Sequence, residues 1–244
     1  MHRKPPRDDE PASGGGRPAV GPLLEAMGLR ERKKARTRLQ ISDIATKLFL
    51  DRGFDDVTVA EVAKAANVSV KTVFNYFGAK EDLLFDREPE WLASIDALLA
   101  ARGPGAGLLV VLRADLEVRW PALDFGRWDL LTEEAAAGRR RFYQLIADHA
   151  GLRARQLQMS ERLRERFVEA AGADLGAGEP DAVVAGTLMH AAYTTTGIEL
   201  VSRLLAGGPA KDAVRHARGI GLKSLDVLIR AYAGTPLVDG PPAR

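Results

Sequence analysis

The sequence predicts an all-α protein, with a small three-helix unit near the N-terminus and a larger helical domain after it. Three observations predict this. Apolar residues recur at helical spacing in every long segment after Leu29. No stretch alternates apolar and polar residues as a half-buried strand does. The interruptions fall at glycine or proline: Gly103, Pro104, Gly151, Gly176, Gly207 and Gly208.

Residues 1–27 are rich in Pro, Gly and mixed charge and lack periodicity, which predicts a disordered arm. Met27 opens "MGLRERKKARTR", itself a natural beginning for the folded part, so translation from Met1 and from Met27 both remain open. In the first helix Ile41, Ile44, Ala45, Leu48 and Phe49 form one apolar stripe, and Gly53 stops it. Thr58 stands three residues before Glu61, the spacing of a reciprocal cap, with Val57 and Val62 placed as a hydrophobic staple. Val59, Val62, Ala63 and Ala66 then make a short second helix ending near Asn67, a residue that tolerates the left-handed conformation of a tight turn. Ser69 caps a third helix, "VSVKTVFNYF".

Past "GAKEDLL", Glu81 and Asp82 suit the positive end of a fourth helix that connects to the larger domain, and Pro89 kinks or splits it. The expected boundaries are 1–27 for the arm, 28–78 for the three-helix domain, 79–234 for the helical remainder and 235–244 for a flexible tail.

The chain has no cysteine, which excludes disulfides, thiolate metal sites and cysteine nucleophiles and favours a cytoplasmic address. No stretch reaches 18 uncharged apolar residues, so no membrane partner is expected. The net charge of +2 conceals an asymmetry: residues 28–80 hold eleven basic residues against six acidic ones, a local balance of +5. Two short helices joined by a tight turn in a basic unit fit a helix-turn-helix, whose second helix enters the DNA major groove. Val73 and Phe77 then face the core, while Val70, Lys71, Thr72, Asn75 and Tyr76 face outward beside the cap Ser69. Lys33 and Arg36, in the basic run ahead of the first helix's apolar stripe, are placed against phosphates. Aromatic residues at helical spacing also fit a plain core helix, and on spacing alone both readings stand.

The stretch "ISDIATKLFLDRGFDDVTVAEVAKAANVSVKTVFNYFGAKEDLL" resembles the N-terminal DNA-binding domain of the TetR family of transcriptional regulators, over roughly residues 30–85. The resemblance implies an all-helical homodimer that binds a double-stranded DNA operator, with a variable C-terminal domain for a small-molecule effector. It implies that Thr58 contacts phosphate, that Val70, Lys71, Thr72 and Phe74 occupy DNA-contacting positions, and that Tyr76 and Lys80 hold phosphates. Asn67 stands where the family usually has glycine, and Phe74 where a tyrosine is common.

In the C-terminal part, helices at about 181–206 and 210–232 carry Val184, Leu188, Leu200, Val201 and Leu204, then Leu225, Leu228 and Ile229, with small residues interleaved. Pairing them with their two-fold copies predicts a four-helix dimer interface. Trp120, Phe125, Trp128, Tyr143, His149, His190, Tyr193 and Thr194 are the candidate effector-pocket residues, because pockets join apolar walls to a few polar groups. No metal site and no cofactor are expected, since neither His149 nor His190 has a partner at ligand spacing. The arginines at 139–141 and at 162, 164 and 166 are read as solvated faces. A helical enzyme with a histidine base lacks a nucleophile or carboxylate pair beside it. The expected function is a repressor released from a near-palindromic operator by a small molecule, against a regulator controlled by a partner or by its own abundance.

Overall fold

The computed structural model describes residues 28–102, 105–119, 131–176 and 180–240. The expected arm at 1–27, and Trp120, Phe125 and Trp128, lie outside them. The described residues form helices and connecting turns. Helix α1 (Leu29–Arg52) leads into α2 (Val59–Ala65) and α3 (Val70–Tyr76). A single 3-10 turn, Glu81–Leu83, precedes α4 (Glu88–Ala100) and α5 (Leu108–Val118). Then come α6 (Glu133–Asp148), α7 (Ala150–Leu175), α8 (Pro180–Leu205), α9 (Ala210–Ala231) and the short α10 (Pro236–Asp239).

Helices α2 and α3 each start where a side chain satisfies free amides. Thr58 accepts from the Glu61 amide while Glu61 accepts from the Thr58 amide, and Ser69 accepts from the Thr72 amide at 3.0 Å. Asn67 takes φ 54°, the one positive-φ position among the described residues filled by something other than glycine. Ile41, Ala45, Phe49, Val57, Val62, Val73 and Phe77 close a small core over these three helices.

The connector differs from the expected fourth helix. Glu81 and Asp82 begin only a 3-10 turn, and α4 starts at Glu88 with Pro89 in its first turn, where a missing N–H loses no helical bond. Glycine at 151 does not end a helix: the break falls at His149, which has extended backbone, and Gly151 lies inside α7. The tail expected from 235 is instead packed to 240, because α10 buries Leu237 completely and the Gly107 amide donates to the Val238 carbonyl.

In the larger domain α8 lies between α7 and α9, and α9 packs also on α5. Two glycines permit these crossings. A Cβ on Gly186 would lie 2.4 Å from the Val168 Cα, and one on Gly221 would lie 2.1 Å from the Thr196 Oγ1. The dimer expectation is corrected by this packing. Leu200, Leu204, Leu225 and Leu228 are buried within the protomer, and Ile229 packs against the same core, because the inward stripe of each helix is consumed by its neighbours. The outward stripe of α8 leaves Val184 51% and Leu188 41% exposed, with Ile198 at 63% further along, and Val201 is half-buried.

The arginines at 140, 162, 164 and 166 are not simply solvated. Arg162 reaches Glu88 and Arg166 reaches Asp96, both across to α4, Arg164 pairs with Glu161, and Arg140 caps the end of α8 by donating to the Leu204 and Gly208 carbonyls. Arg139 is half-buried and donates to the Ala135 carbonyl, and Arg141 is exposed.

Candidate nucleic-acid interface

Helix α3 is seven residues long, and its two faces divide sharply. Val73 and Phe77 are buried, whereas Lys71 and Asn75 are exposed, Val70 is 40% exposed and Phe74 54% exposed. Val70 and Phe74, one turn apart, thus leave apolar surface in water on the side of α3 opposite the filled core. The cap that starts α3 also fixes two of its candidate hydroxyls, since the Ser69 and Thr72 oxygens lie 2.7 Å apart. Thr72 is thereby half-buried and oriented by its neighbour.

Other expected contacts are already engaged. The Thr58 hydroxyl and amide both donate to Glu61 Oε2, at 2.9 and 2.8 Å. Those bonds, reinforced by the Arg52 guanidinium at 2.7 Å, hold the Glu61 carboxyl down at about 2. A phosphate contact from the Thr58 hydroxyl would compete with this cap. Lys80 turns inward: its ammonium donates to the Phe54 carbonyl at 2.5 Å and sits 4.3 Å from the centre of the Phe54 ring. Tyr76 is half-buried beside Phe77, at a ring separation of 6.5 Å. Lys33 and Arg36 are exposed on α1, whose first residue packed into the core is Ile41, so its basic N-terminal turns project from the three-helix unit.

The three-helix unit is fastened to the larger domain by polar groups far apart in sequence. Buried Ser42 donates to the Leu83 carbonyl at 3.0 Å, and Arg38 donates to the Asp86 carbonyl at 2.7 Å. Within the larger domain, α7 in turn grips this connector: Glu88 is 3% exposed and receives both Arg155 and Arg162, while Arg155 also binds Asp82 at 2.8 Å. Sequence reading missed this cluster, because nothing local joins residue 88 to residue 155.

The described effector-pocket candidates, Tyr143, His149, His190, Tyr193 and Thr194, face different partners. Tyr143 stacks edge-on to its neighbour Phe142. His149 sits at the joint of α6 and α7 and faces the other domain: its Nε2 is 3.5 Å from Asp55, and its ring meets that of Phe54 at 5.4 Å. His190 meets Ser160 of α7 at 2.9 Å, and burial lowers its pKa. Thr194 donates back to the His190 carbonyl. Tyr193 points to α5, packed on Phe167 and 3.4 Å from Asp115; burial raises the pKa of both Tyr193 and Asp115, the latter opposed by Arg119. Among the described residues no group of three or more histidine or carboxylate side chains is gathered for a metal, and no helix is long and apolar enough to cross a membrane.

Residues 41–86 match the family of bacterial regulatory proteins called the tetR family. The chain is similar to the HTH-type transcriptional regulator TcmR of Streptomyces glaucescens, 33% identical over 93 residues, which cover 36% of this chain and 41% of that protein. The match therefore spans less than half of that relative's length. Among solved structures, a putative TetR-family regulator from Syntrophomonas wolfei aligns with 80% of this chain and 96% of its own, at TM-score 0.51 and 18% identity. A SmeT–triclosan complex aligns with 86% of this chain and 98% of its own, at TM-score 0.50 and 16% identity. At such identities the structures speak for the fold alone.

Proposed function

From a chain that belongs to the TetR family of transcriptional regulators, we propose a repressor that binds a near-palindromic operator as a homodimer and leaves it when a small molecule binds the larger domain. The observation that carries this reading is the outer face of α3: Val70, Lys71, Phe74 and Asn75 exposed together on a helix whose opposite side is buried. A helix-turn-helix presents such a face to the major groove, where a lysine donates to guanine, an asparagine pairs with adenine and an apolar group meets the thymine methyl. Lys33 and Arg36 supply attraction to phosphates that carries no sequence information. Thr58, Thr72, Tyr76 and Lys80 act mainly by fixing the unit on which α3 rides. In the proposed dimer the apolar outer stripe of α8, with Val184, Leu188 and Ile198, meets its two-fold copy.

Two α3 helices then have to sit about 34 Å apart, one DNA turn, to engage both half-sites. An effector that prefers a conformer with another spacing weakens DNA binding by the same factor with which DNA weakens effector binding. That SmeT has been solved with triclosan is consistent with effector control in this fold. The test is to recover genomic fragments with the purified protein and sequence them. Enrichment of a near-palindrome with half-site centres about 10 base pairs apart, or a multiple of that, is expected. Recovery of fragments without any shared motif would refute the reading.

A further inference from the structure

We propose a binding site for an amphipathic organic carboxylate in the groove between the two domains, where α1 meets α6 and the end of α8. The groove has a volume of about 460 Å³, within the range of small-molecule sites. Its apolar surface comes from Leu50 in the last turns of α1 and Leu205 at the end of α8, with the buried Phe49 and Leu145 of α6 packed behind them. Leu205 is 37% exposed and Leu50 is half-buried, so part of this surface is still wet.

The charge around it decides the class of ligand. Arg140 is fixed in the wall by the Leu204 and Gly208 carbonyls and lies 3.7 Å from the Glu133 carboxylate, which offsets part of its charge. Asp148, the acidic residue of the lining, accepts from Gln144 at 2.8 Å. Arg141 is exposed on the rim and has no hydrogen-bond or ion-pair partner among the described residues. A partly apolar lining with the unpaired Arg141 guanidinium at its rim suits a molecule with a hydrocarbon body and a carboxylate head, which the planar fork of arginine can bind with two parallel bonds. A cation of the same shape would face Arg140 and Arg141 and find one carboxylate, Asp148, to attract it.

The position gives such a ligand leverage. Phe49, Leu50 and Gly53 line the groove, and the next residues, Phe54 and Asp55, are those held by His149 across the joint. An occupant therefore touches the last turn of α1 and the domain that carries α8, and any preference for one relative placement becomes a change in DNA affinity. This effector role rests on the regulator reading above; binding to the groove does not.

Decanoate is the probe, titrated calorimetrically into the full chain below its micelle concentration, with decyltrimethylammonium as the matched cation. Saturable binding of one decanoate per protomer is expected. Arg141→Gln should weaken it about tenfold or more, Leu205→Trp should fill the groove and abolish it, and the cation should not bind. Both substituted residues are exposed, and unchanged melting curves establish that the variants fold. Absence of saturation, equal affinity in either variant, or equal binding of the cation would overturn the site. On a fragment recovered as above, decanoate should shift DNA affinity in wild type and not in Arg141→Gln; binding with no shift would overturn the effector role. Failure to bind any DNA would count against the regulator reading, while the titration would still decide the site.

Discussion

Replacing Glu88 with glutamine should loosen the hold of α7 on the connector that follows the DNA-binding unit. The carboxylate is 3% exposed and serves two guanidiniums, Arg155 and Arg162. Glutamine keeps the volume, so no cavity forms, but it removes the charge and one acceptor position. Arg162 is 49% exposed on its side chain and can turn to water; Arg155 is 14% exposed and retains only Asp82, itself 29% exposed. Removing one partner of a buried pair destabilises by about 3 to 5 kcal/mol. The remaining Asp82 contact and the freedom of Arg162 place this case near the lower end, at about 3 kcal/mol. For a chain of this size that corresponds to a fall in Tm of roughly 6 to 12 °C. Thermal melting followed by far-ultraviolet circular dichroism reads it directly. A fall of less than about 2 °C would mean that Glu88 carries no net interaction, and the account of how α7 holds the connector would be wrong.

Other perturbations separate the remaining parts of the account. Gly186→Ala should destabilise by about 1 to 3 kcal/mol, because its Cβ would meet backbone of α7 that cannot retreat; chemical denaturation measures it. Leu188→Glu should leave the protomer folded, since the side chain is 41% exposed, and shift the protein to a monomer in sedimentation equilibrium. Glu61 has its pKa lowered from 4.5 to about 2, so its contribution to the α2 cap is present above 4.5 and is lost as pH falls toward 2. Glu61→Gln should therefore flatten the acid limb of stability in that window, and an unchanged limb would assign acid unfolding to other carboxylates.

The contrast between what the sequence disclosed and what it did not follows from the range of each interaction. The Thr58–Glu61 and Ser69–Thr72 caps join residues three apart, and the Asn67 turn is a property of one residue, so all were legible. The inward placing of Val73 and Phe77 followed from helical period in the same way. Period alone does not say which of two apolar stripes a neighbour will claim. Leu200, Leu204, Leu225 and Leu228 were therefore assigned to the dimer and proved to be core, while Val184 and Leu188 do lie outside. The Arg155–Glu88 pair joins residues 67 apart, and the His149–Asp55 contact crosses between domains; neither leaves a local signature. The same limit holds for the effector candidates, because residues less than one turn apart on α8, His190 and Tyr193, were directed by packing toward different partners, Ser160 on α7 and Asp115 on α5.

The central claim is that the exposed face of α3 reads DNA sequence. It is tested most directly by equilibrium binding of wild type, Lys71→Ala and Phe74→Ala to a recovered operator and to single-base variants of it. Both side chains are exposed, so melting temperatures should stay unchanged while each substitution costs about 1 to 3 kcal/mol on the operator and erases discrimination at particular base pairs. Variants that bind every sequence with the wild-type order of preference would contradict the claim.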